Sequence, residues 1–551
     1  QGVTTDSSFF APPSSMIRQT LLAGLCVVAS ASDATVSTSL GPLVGTAPSE
    51  ATCGAFYGVP YAAPPTGANR FRTPQPHAPW QKPRIAKHVG RSCLQGFGDG
   101  FVPLGPRVER LLEFTHFGME PMDEDCLYLN VFSPDLSSDR RLPVMIWLHG
   151  GSYVGGSGDK QSGLPFYDGH ILCREGEVVV VTVNYRLGVF GFYASEELLA
   201  EQGTAGNMGI QDQRKALEWV QENAHQFGGA ADRVTIFGES AGAGSVALHA
   251  ISPHSTSLFS AAIMESGGLW STDLQEAESG SDAVAAATKC SNLACLREVA
   301  GLDLLHAQLQ VEFTAVPVSD GYEWPVGTSL RDVVAARNFS AKPMLIGTNR
   351  NESALFDCLS IPELNESSFR TALAHRLRRE GRVTDSEFDR LVELYNGSKY
   401  DDGHEGTWPW KRALIDVDTD LTMFCDSRFL LDTVHAQQQA TFAYILDQTM
   451  WFFEGARCLG TPHMTDLFFL WQNFAPVMTR DERALGARMA KYWSGFAWNH
   501  TPGVSWPAFG EERGYLRLRS PEDLPDAQVK KEQCDIFQTI RTRPRYSIMV
   551  A

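Results

Sequence analysis

A serine stands at the centre of the pentapeptide GESAG, residues 238–242, directly after the apolar run VTIF. A serine hydroxyl attacks a carbonyl carbon when a neighbouring base removes its proton. The G-x-S-x-G pattern between a strand and a helix is typical of a tight turn that exposes such a serine. We therefore predict that Ser240 is a nucleophile. The alternative is a tight turn with an inactive hydroxyl, because so short a pattern also arises by chance.

A glycine-rich turn upstream supplies a second feature of acyl transfer. The sequence HGGSYVGGSG, residues 149–158, follows an apolar run. Backbone N–H groups in such a turn can point at one oxygen and stabilise its developing negative charge. We expect the N–H groups of Gly151, Ser152 and Ala241 to form this oxyanion hole. The alternative is a flexible glycine loop.

The serine also needs a general base and an acid that orients the base. The chain contains 14 histidines, and the residues alone do not choose among them. In enzymes with a G-x-S-x-G turn after a strand, the acid and then the histidine follow the serine in the chain. Glu352 in LIGTNRNESALF and His463 in GTPHMTD fit this order. Taken singly, each residue is equally typical of a surface or of the start of a helix.

Several elements must position these residues. Six apolar, β-rich runs are predicted strands: residues 144–150, 178–186, 233–239, 261–267, 343–349 and 441–447. Their unbroken apolar character predicts burial on both faces, as in a parallel sheet covered by helices. Residues 210–229 show helical spacing between two strands, so the pattern predicts an α/β fold. The more charged region 360–435 is predicted to form helices outside the sheet.

Composition limits the function classes. The chain has 551 residues and a formal net charge of −18. No run of basic residues occurs, so we predict no nucleic-acid partner. The acidity favours either a soluble, self-repelling surface or the attraction of cationic substrates. No linker, repeat or low-complexity tract divides residues 33–551, which are predicted to form one domain.

The N-terminal region predicts export. Residues 16–32 combine a basic residue, the apolar run LLAGLCVVA and small residues, which is typical of a signal peptide. The alternative is a buried N-terminal helix. Residues 1–15 precede Met16 and are predicted to be an upstream, non-native segment. The apolar run is too short to cross a bilayer, so we predict no membrane span and a secreted or secretory-pathway protein.

The cysteines agree with export. Of the 11 cysteines, Cys26 lies in the predicted signal peptide, and the other ten suit an oxidising compartment. No C-x-x-C or H-E-x-x-H motif occurs, so we predict neither a metal nor another cofactor. Sequons predict a glycosylated surface; they lie at Asn338, Asn351, Asn365, Asn396 and Asn499.

The ordered motifs of the chain resemble those of the type-B carboxylesterase/cholinesterase-like family, whose fold is the α/β-hydrolase. The resemblance runs from about Val36 to Phe537 and includes FYGVPYAAPPTGANRF, DEDCLYLNVFSP, VNYRLGVFGF and DRVTIFGESAGAGSV. It implies a large, mostly parallel central sheet with helices on both faces. It also implies a triad of Ser240, Glu352 and His463. In this triad the histidine transfers the serine proton, and the glutamate orients the histidine.

The resemblance also implies disulfide pairs: Cys93 with Cys126, Cys290 with Cys295, and Cys425 with Cys534. It leaves Cys53, Cys173, Cys358 and Cys458 unassigned. We predict a bridge between Cys358 and Cys458, because the former follows Glu352 and the latter precedes His463. A glycan on Asn351 would lie beside Glu352, so we expect that sequon to be unused.

Three departures from the family pattern bear on function. His116 stands where similar cholinesterases carry a tryptophan that stacks on quaternary ammonium, which argues against a choline site. The turn HGGSY is similar to that of neuroligins, the catalytically silent adhesion relatives, and the extra Cβ of Ser152 narrows the space for an acyl group. Met464 and Asp466 stand where relatives often have glycine and glutamate, so the surroundings of the histidine are expected to differ.

We predict a secreted serine carboxylic-ester hydrolase that acts on a small-molecule or lipid ester through an acyl-enzyme. One alternative is a neuroligin-like adhesion or recognition protein on the same fold. The presence of Ser240, Glu352 and His463 favours the enzyme. A second alternative, a neutral-lipid lipase, would use the same chemistry behind a wider, more apolar mouth. The ester and the oligomeric state depend on loop shapes that the residues do not specify.

Overall fold

A computed structural model describes residues 32–96, 122–160, 165–401, 408–453 and 458–543. The predicted upstream segment, and the predicted signal peptide except Ser32, lie outside the described residues. His116 lies outside them as well, so the expectation about a choline site stays a prediction.

The strands follow one another along the chain as β1 (Asp33–Ser37), β2 (Pro42–Thr46), β3 (Gly54–Pro60), β4 (Arg84–Ile85), β5 (Ser92–Cys93), β6 (Met122–Asp123), β7 (Tyr128–Ser133), β8 (Leu142–Leu148), β9 (Val179–Val183), β10 (Gly229–Glu239), β11 (Ala261–Glu265), β12 (Met344–Asn349), β13 (Thr441–Leu446), β14 (Gly514–Leu518) and β15 (Leu524–Ala527). The large sheet has the order β1-β2-β3-β7-β9-β8-β10-β11-β12-β13-β14-β15, and β4 pairs with β2. From β9 to β14 every neighbouring pair is parallel. Six of these seven strands, β8 to β13, were predicted, whereas β14 and the antiparallel strands toward both edges were not.

The helices are α1 (His170–Gly176), α2 (Gly188–Phe192), α3 (Glu196–Gln202), α4 (Met208–Asn223), α5 (Ala241–Ile251), α6 (Leu274–Ala287), α7 (Leu293–Glu298), α8 (Gly301–Leu309), α9 (Leu330–Ala336), α10 (Ala354–Ser360), α11 (Glu366–Leu377), α12 (Asp385–Leu394), α13 (Pro409–Thr419), α14 (Cys425–His435), α15 (Thr465–Trp471), α16 (Arg480–Asn499) and α17 (Lys531–Arg541). The predicted helix at residues 210–229 is α4 followed by a 3₁₀ turn, Ala224–Phe227. The described residues of the region 360–435 lie mainly in helices, α11 to α14, as predicted.

Strand β8 shows why both faces of the sheet are covered. All seven of its residues are buried. Val144, Ile146 and Leu148 belong to one hydrophobic core, which also contains side chains of α4 and α5. Met145 and Trp147 belong to a second core, on the other face, with side chains of α1, α15 and α16. Successive side chains of a strand point to opposite faces, so an unbroken apolar run needs a helix layer on each side. The predicted mostly parallel sheet covered by helices on both faces is confirmed.

Candidate active site

Ser240 lies in the turn between β10, which ends at Glu239, and α5, which begins at Ala241. Its backbone has φ 56° and ψ −124°, a strained conformation for a residue with a side chain. Its N–H donates to the carbonyl oxygen of Glu265 over 3.0 Å. Its side chain caps no N–H group of α5. The turn therefore holds the serine backbone tightly and leaves the hydroxyl free of the helix.

The glycines on either side of the serine lie against β8. A Cβ on Gly242 would overlap the carbonyl oxygen of Leu148 and would lie 2.9 Å from the carbonyl carbon of His149. A Cβ on Gly238 would lie 2.5 Å from the same oxygen of Leu148. Neither position has room for a side chain, which is the physical reason for the G-x-S-x-G spacing.

His463 is brought to this turn by a loop that precedes α15. Its Nδ1 lies 2.7 Å from Glu352 Oε2. Its backbone N–H donates to the carbonyl oxygen of Glu352 over 3.2 Å, so the loop is held at two points. Glu352 follows β12, and its Oε1 accepts the N–H of Asn349 at 2.5 Å. The histidine and the glutamate, 111 residues apart, are therefore in direct contact.

The other ring nitrogen of His463 faces the turn at residues 238–242, which is called the elbow below. Nε2 lies 3.1 Å from Oε1 of Glu239, the residue before Ser240. Burial alone would lower the pKa of His463, but the carboxylates of Glu239 and Glu352 outweigh it and raise the pKa to about 9. Burial raises the pKa of Glu239 to about 8, although His463 acts in the opposite direction. The contact between Glu239 and His463 therefore favours a proton shared by the two side chains.

The glycine-rich turn lies against the elbow from the other side. A Cβ on Gly150 would lie 3.0 Å from the Cβ of Ser240. Among the described residues, the N–H groups of Gly151 and Ser152 donate no backbone hydrogen bond. Ala241 is the first residue of α5, where N–H groups lack acceptors within the helix. The three predicted oxyanion donors thus have N–H groups that are open to an acceptor.

The same turn is strained at its non-glycine residues. Ser152 and Tyr153 have φ values of 53° and 58°. His149 anchors the turn from within: its ring stacks on Tyr185 at 4.3 Å, and its carbonyl oxygen accepts the Tyr185 hydroxyl at 2.7 Å. Burial lowers the pKa of His149 to about 4, so this ring is neutral at physiological pH. The side chain of Ser152 is exposed to solvent.

Five disulfides occur among the described residues. The structure pairs Cys93 with Cys126, Cys290 with Cys295, and Cys425 with Cys534. It also pairs Cys358 with Cys458, which joins α10 to the segment before His463. The fifth disulfide joins Cys53 to Cys173, two cysteines that the sequence analysis left unassigned.

Two further buried acidic residues lie near these groups. The sequence marked Asp466 only as a departure from relatives, and it gave Glu265 no role. Asp466 is fully buried, and Asn349 Nδ2 donates to its Oδ1 over 3.2 Å. Glu265 ends β11 and is also fully buried. A carboxyl group inside the otherwise apolar run AAIMESG is the sequence signal that could have pointed to Glu265.

The sequon asparagines differ in their surroundings. Asn351 is half-buried, and its Oδ1 accepts the N–H of Thr461 at 3.2 Å. Asn338 and Asn499 are exposed. Burial and this hydrogen bond support the expectation that the sequon at Asn351 is unused.

Within the described ranges, no cluster of three or more His, Cys, Asp or Glu side chains is arranged to hold a metal ion. None of the helices in that part of the chain combines the length and the apolar character needed to cross a membrane.

Known proteins resemble this chain over most of its length. A model of the carboxylesterase family matches residues 32–537. The acetylcholinesterase of Danio rerio is 30% identical over 94% of this chain and 88% of its own length. The cocaine esterase of Oryctolagus cuniculus is 32% identical over 87% of this chain and 90% of its own length. A solved structure of a thermophilic PNB esterase has a TM-score of 0.74 at 28% identity, and the match covers 91% of this chain and 99% of that one.

Proposed function

We propose that this chain, which belongs to the carboxylesterase family and is a carboxylic-ester hydrolase, works through an acyl-enzyme on Ser240. His463 is the general base, and Glu352 orients it. Gly151, Ser152 and Ala241 stabilise the oxyanion. The substrate is a small-molecule or lipid ester, and the reaction needs no metal or cofactor.

The acylation step begins at Nε2 of His463. In this step Nε2 leaves Glu239 and accepts a hydrogen bond from the Ser240 hydroxyl. As Nε2 takes the hydroxyl proton, the serine oxygen attacks the ester carbonyl carbon. Glu352, at 2.7 Å from Nδ1, selects the tautomer that leaves Nε2 free to accept and stabilises the imidazolium that forms. The carbonyl oxygen becomes negative and is met by the open N–H groups of the glycine turn and of Ala241.

The remaining steps return the proton and release the acid. The imidazolium donates its proton to the leaving alcohol, which breaks the ester bond and leaves the acyl group on Ser240. Water then attacks the acyl carbonyl with His463 again as base, and the released serine oxygen regains its proton. Each step uses the same three side chains, so loss of any one stops turnover.

One observation carries this proposal: His463 lies between Glu352, at 2.7 Å from Nδ1, and the elbow residue Glu239, at 3.1 Å from Nε2. Glu239 is the residue before Ser240, so Nε2 faces the turn that carries the proposed nucleophile. An adhesion protein on the same fold would have no need to keep this contact.

We further propose that the protein is secreted. Five disulfides support this, since disulfides persist in oxidising compartments. The predicted signal peptide supplies the route. Expression of the full chain in a secreting host, followed by N-terminal sequencing of the protein in the medium, tests the predicted cleavage near residue 32.

A burst assay tests the enzyme. The purified protein and its Ser240→Ala variant would be mixed with p-nitrophenyl acetate and p-nitrophenyl butyrate. We expect a burst of p-nitrophenol equal to the enzyme concentration when deacylation is slow, and a steady rate at least about 10³-fold above that of the variant. The ratio of the two esters measures the size of the acyl pocket.

Equal rates for the two folded proteins would contradict the proposal and would favour the adhesion protein. Glu352→Gln is the second variant, because it keeps the shape of the side chain and removes the charge that stabilises the imidazolium. A wild-type rate for this variant would contradict the role of Glu352 alone.

A further inference from the structure

The turn that carries Glu352 is in contact with a side chain outside the proposed triad, that of Thr419. The backbone N–H of Ser353, the residue after Glu352, donates to Thr419 Oγ1 over 3.1 Å. The carbonyl oxygen of Glu352 accepts the backbone N–H of His463 over 3.2 Å. This carbonyl and the N–H of Ser353 belong to one planar peptide bond. A hydrogen bond on one side of that plane therefore sets the direction of the hydrogen bond on its other side.

The N–H of Ser353 depends on an acceptor outside its own helix. Ser353 precedes Ala354, the first residue of α10, and N–H groups at this end of a helix have no acceptor within it. Ser353 and Thr419 are both buried. A buried N–H group needs a partner from the protein, and the Thr419 hydroxyl oxygen is that partner.

Thr419 is itself held in place by the fold. It ends α13, and the chain continues as a π turn, Asp420–Phe424, before α14. Single π turns inside helices often occur at functional sites. The fully buried Asp420 anchors this one, since the Tyr395 hydroxyl donates to its Oδ2 over 2.5 Å and the Lys530 ammonium to its Oδ1 over 2.6 Å. Tyr395 directly follows α12 and Lys530 directly precedes α17, so contacts from two further helices fix the end of α13.

We propose that Thr419 is a positioning residue of the esterase reaction: its hydroxyl oxygen fixes the Glu352–Ser353 peptide, and this peptide keeps the backbone of His463 within reach of the Glu352 carboxylate. The proposal rests on the proposed function of Ser240, Glu352 and His463. Thr419 acts through Glu352 and not by contact with the ester. Because the proposed proton transfer depends on the 2.7 Å contact between Glu352 and Nδ1 of His463, a tilted peptide would misalign the base.

Thr419→Val tests this role, because valine keeps the branched shape and removes the oxygen that accepts the Ser353 N–H. We expect kcat to fall by about tenfold or more while KM changes by less than about twofold, since a misaligned base slows the chemical step. Thr419→Ser keeps the hydroxyl acceptor, so its kcat should stay within about threefold of wild type.

Thr422→Val is the matched control on the same π turn. Thr422 is exposed, and its hydroxyl donates to the carbonyl oxygen of Asp418 over 2.7 Å. The change removes one hydroxyl from the same turn and leaves the Ser353 N–H with its acceptor. We therefore expect kcat and KM of Thr422→Val to equal those of wild type. Thermal unfolding of each variant shows whether it is folded.

Proton NMR at neutral pH provides a readout that does not depend on activity. A histidine Nδ1–H that donates to a carboxylate forms a charge-assisted hydrogen bond, and its proton resonates far downfield. We expect this resonance in wild type. It should move upfield or disappear in Thr419→Val, and it should be present in Thr419→Ser and Thr422→Val. His463→Gln assigns the resonance, because this variant lacks the ring.

An unchanged resonance or an unchanged kcat in folded Thr419→Val would overturn the proposal. A Thr419→Ser variant that behaves like Thr419→Val would do so too, as would equal losses in Thr422→Val, because the effect would then come from the π turn as a whole. If Thr419→Val does not fold, Thr419→Ala removes the same hydroxyl with a better helix former and takes its place. If neither folds, the role of Thr419 is structural and the proposal is wrong.

The failure of this proposal and the failure of the proposed function give different results. If Ser240 is not the nucleophile, Ser240→Ala retains activity, whereas the resonance still reports the contact between Glu352 and His463 in each Thr419 variant. If only the role of Thr419 is wrong, Ser240→Ala is inactive while Thr419→Val keeps its kcat or its resonance.

Discussion

His463 lies between two carboxyl groups, and only one of them, Glu352, belongs to the proposed triad. Glu352 contacts Nδ1, and Glu239 contacts Nε2. Negative charge beside an imidazole favours its protonated form, which cannot accept the serine proton. We therefore expect Glu239, which precedes Ser240, to influence the pH at which His463 can act as the proposed base.

Glu239→Gln should move the acid limb of kcat/KM to lower pH. The raised pKa of about 9 in His463 means that activity rises with pH as the ring loses its proton. Removing the charge of Glu239 lowers that pKa, so the limb should shift down by about one pH unit or more. The measurement is kcat/KM for p-nitrophenyl butyrate across the pH range. Glu511→Gln, the same change on an exposed residue, is the control and should leave the limb unchanged.

The geometry of the elbow depends on two glycines, which have no side chain. Strand β10 and helix α5 meet at Ser240 only because Gly238 and Gly242 let the turn approach β8. The cost of the strained serine backbone, about 1–3 kcal/mol, is offset by the surrounding packing. A change at either glycine therefore acts on the whole junction and not on one contact.

Gly242→Ala should destabilise the protein, although alanine is the better helix former. Its Cβ would overlap the carbonyl oxygen of Leu148, and overpacking of this kind costs about 1–3 kcal/mol or more. Gly280→Ala, inside α6, is the matched control. Its Cβ would come no closer than 3.4 Å to any neighbour, so we expect about 0.5–1 kcal/mol of stabilisation. Denaturant unfolding measures both, and equal effects of the two changes would contradict the explanation.

Over the whole molecule, buried acids couple stability to pH. The pKa values of Asp466, Glu239 and His463 are raised to about 6, 8 and 9. Burial also raises the pKa of Glu265 well above its usual value. The folded protein therefore holds protons that the unfolded chain has already released. The stabilisation is complete below the ordinary carboxyl and imidazole pKa values and is lost as pH rises through the raised ones.

The melting temperature should fall between pH 6 and pH 9, the range of these raised pKa values. Glu265→Gln should make the decline shallower, because glutamine has no proton to lose. The net charge of −18 adds to the decline, since carboxylates repel one another more strongly as pH rises. Calorimetry at several pH values measures the slope. Glu511→Gln, the same change on an exposed residue, is the reference. If the melting temperature of Glu265→Gln falls with pH as steeply as that of wild type, Glu265 does not carry a buried proton.

Much of the fold could be predicted because its signals are local. The six predicted strands are continuous apolar runs, and β8, for example, carries side chains of both cores. Among the strands that were missed, β1 and β15 are short and largely exposed, and therefore lack that signal. The ordered motifs added the carboxylesterase family and its α/β-hydrolase fold, which the comparisons confirm.

The sequence by itself determined the elbow at Ser240, the glycine turn before it and the layered sheet, because each depends on residues that are neighbours along the chain. The residues alone left the histidine open among 14 candidates. Only the tertiary structure brought His463 against Glu352 and Glu239, and only it placed Glu265 among carboxyls. Contacts across more than a hundred residues arise from the packing of whole elements, and the protonation of a buried acid depends on every group that packing brings near it.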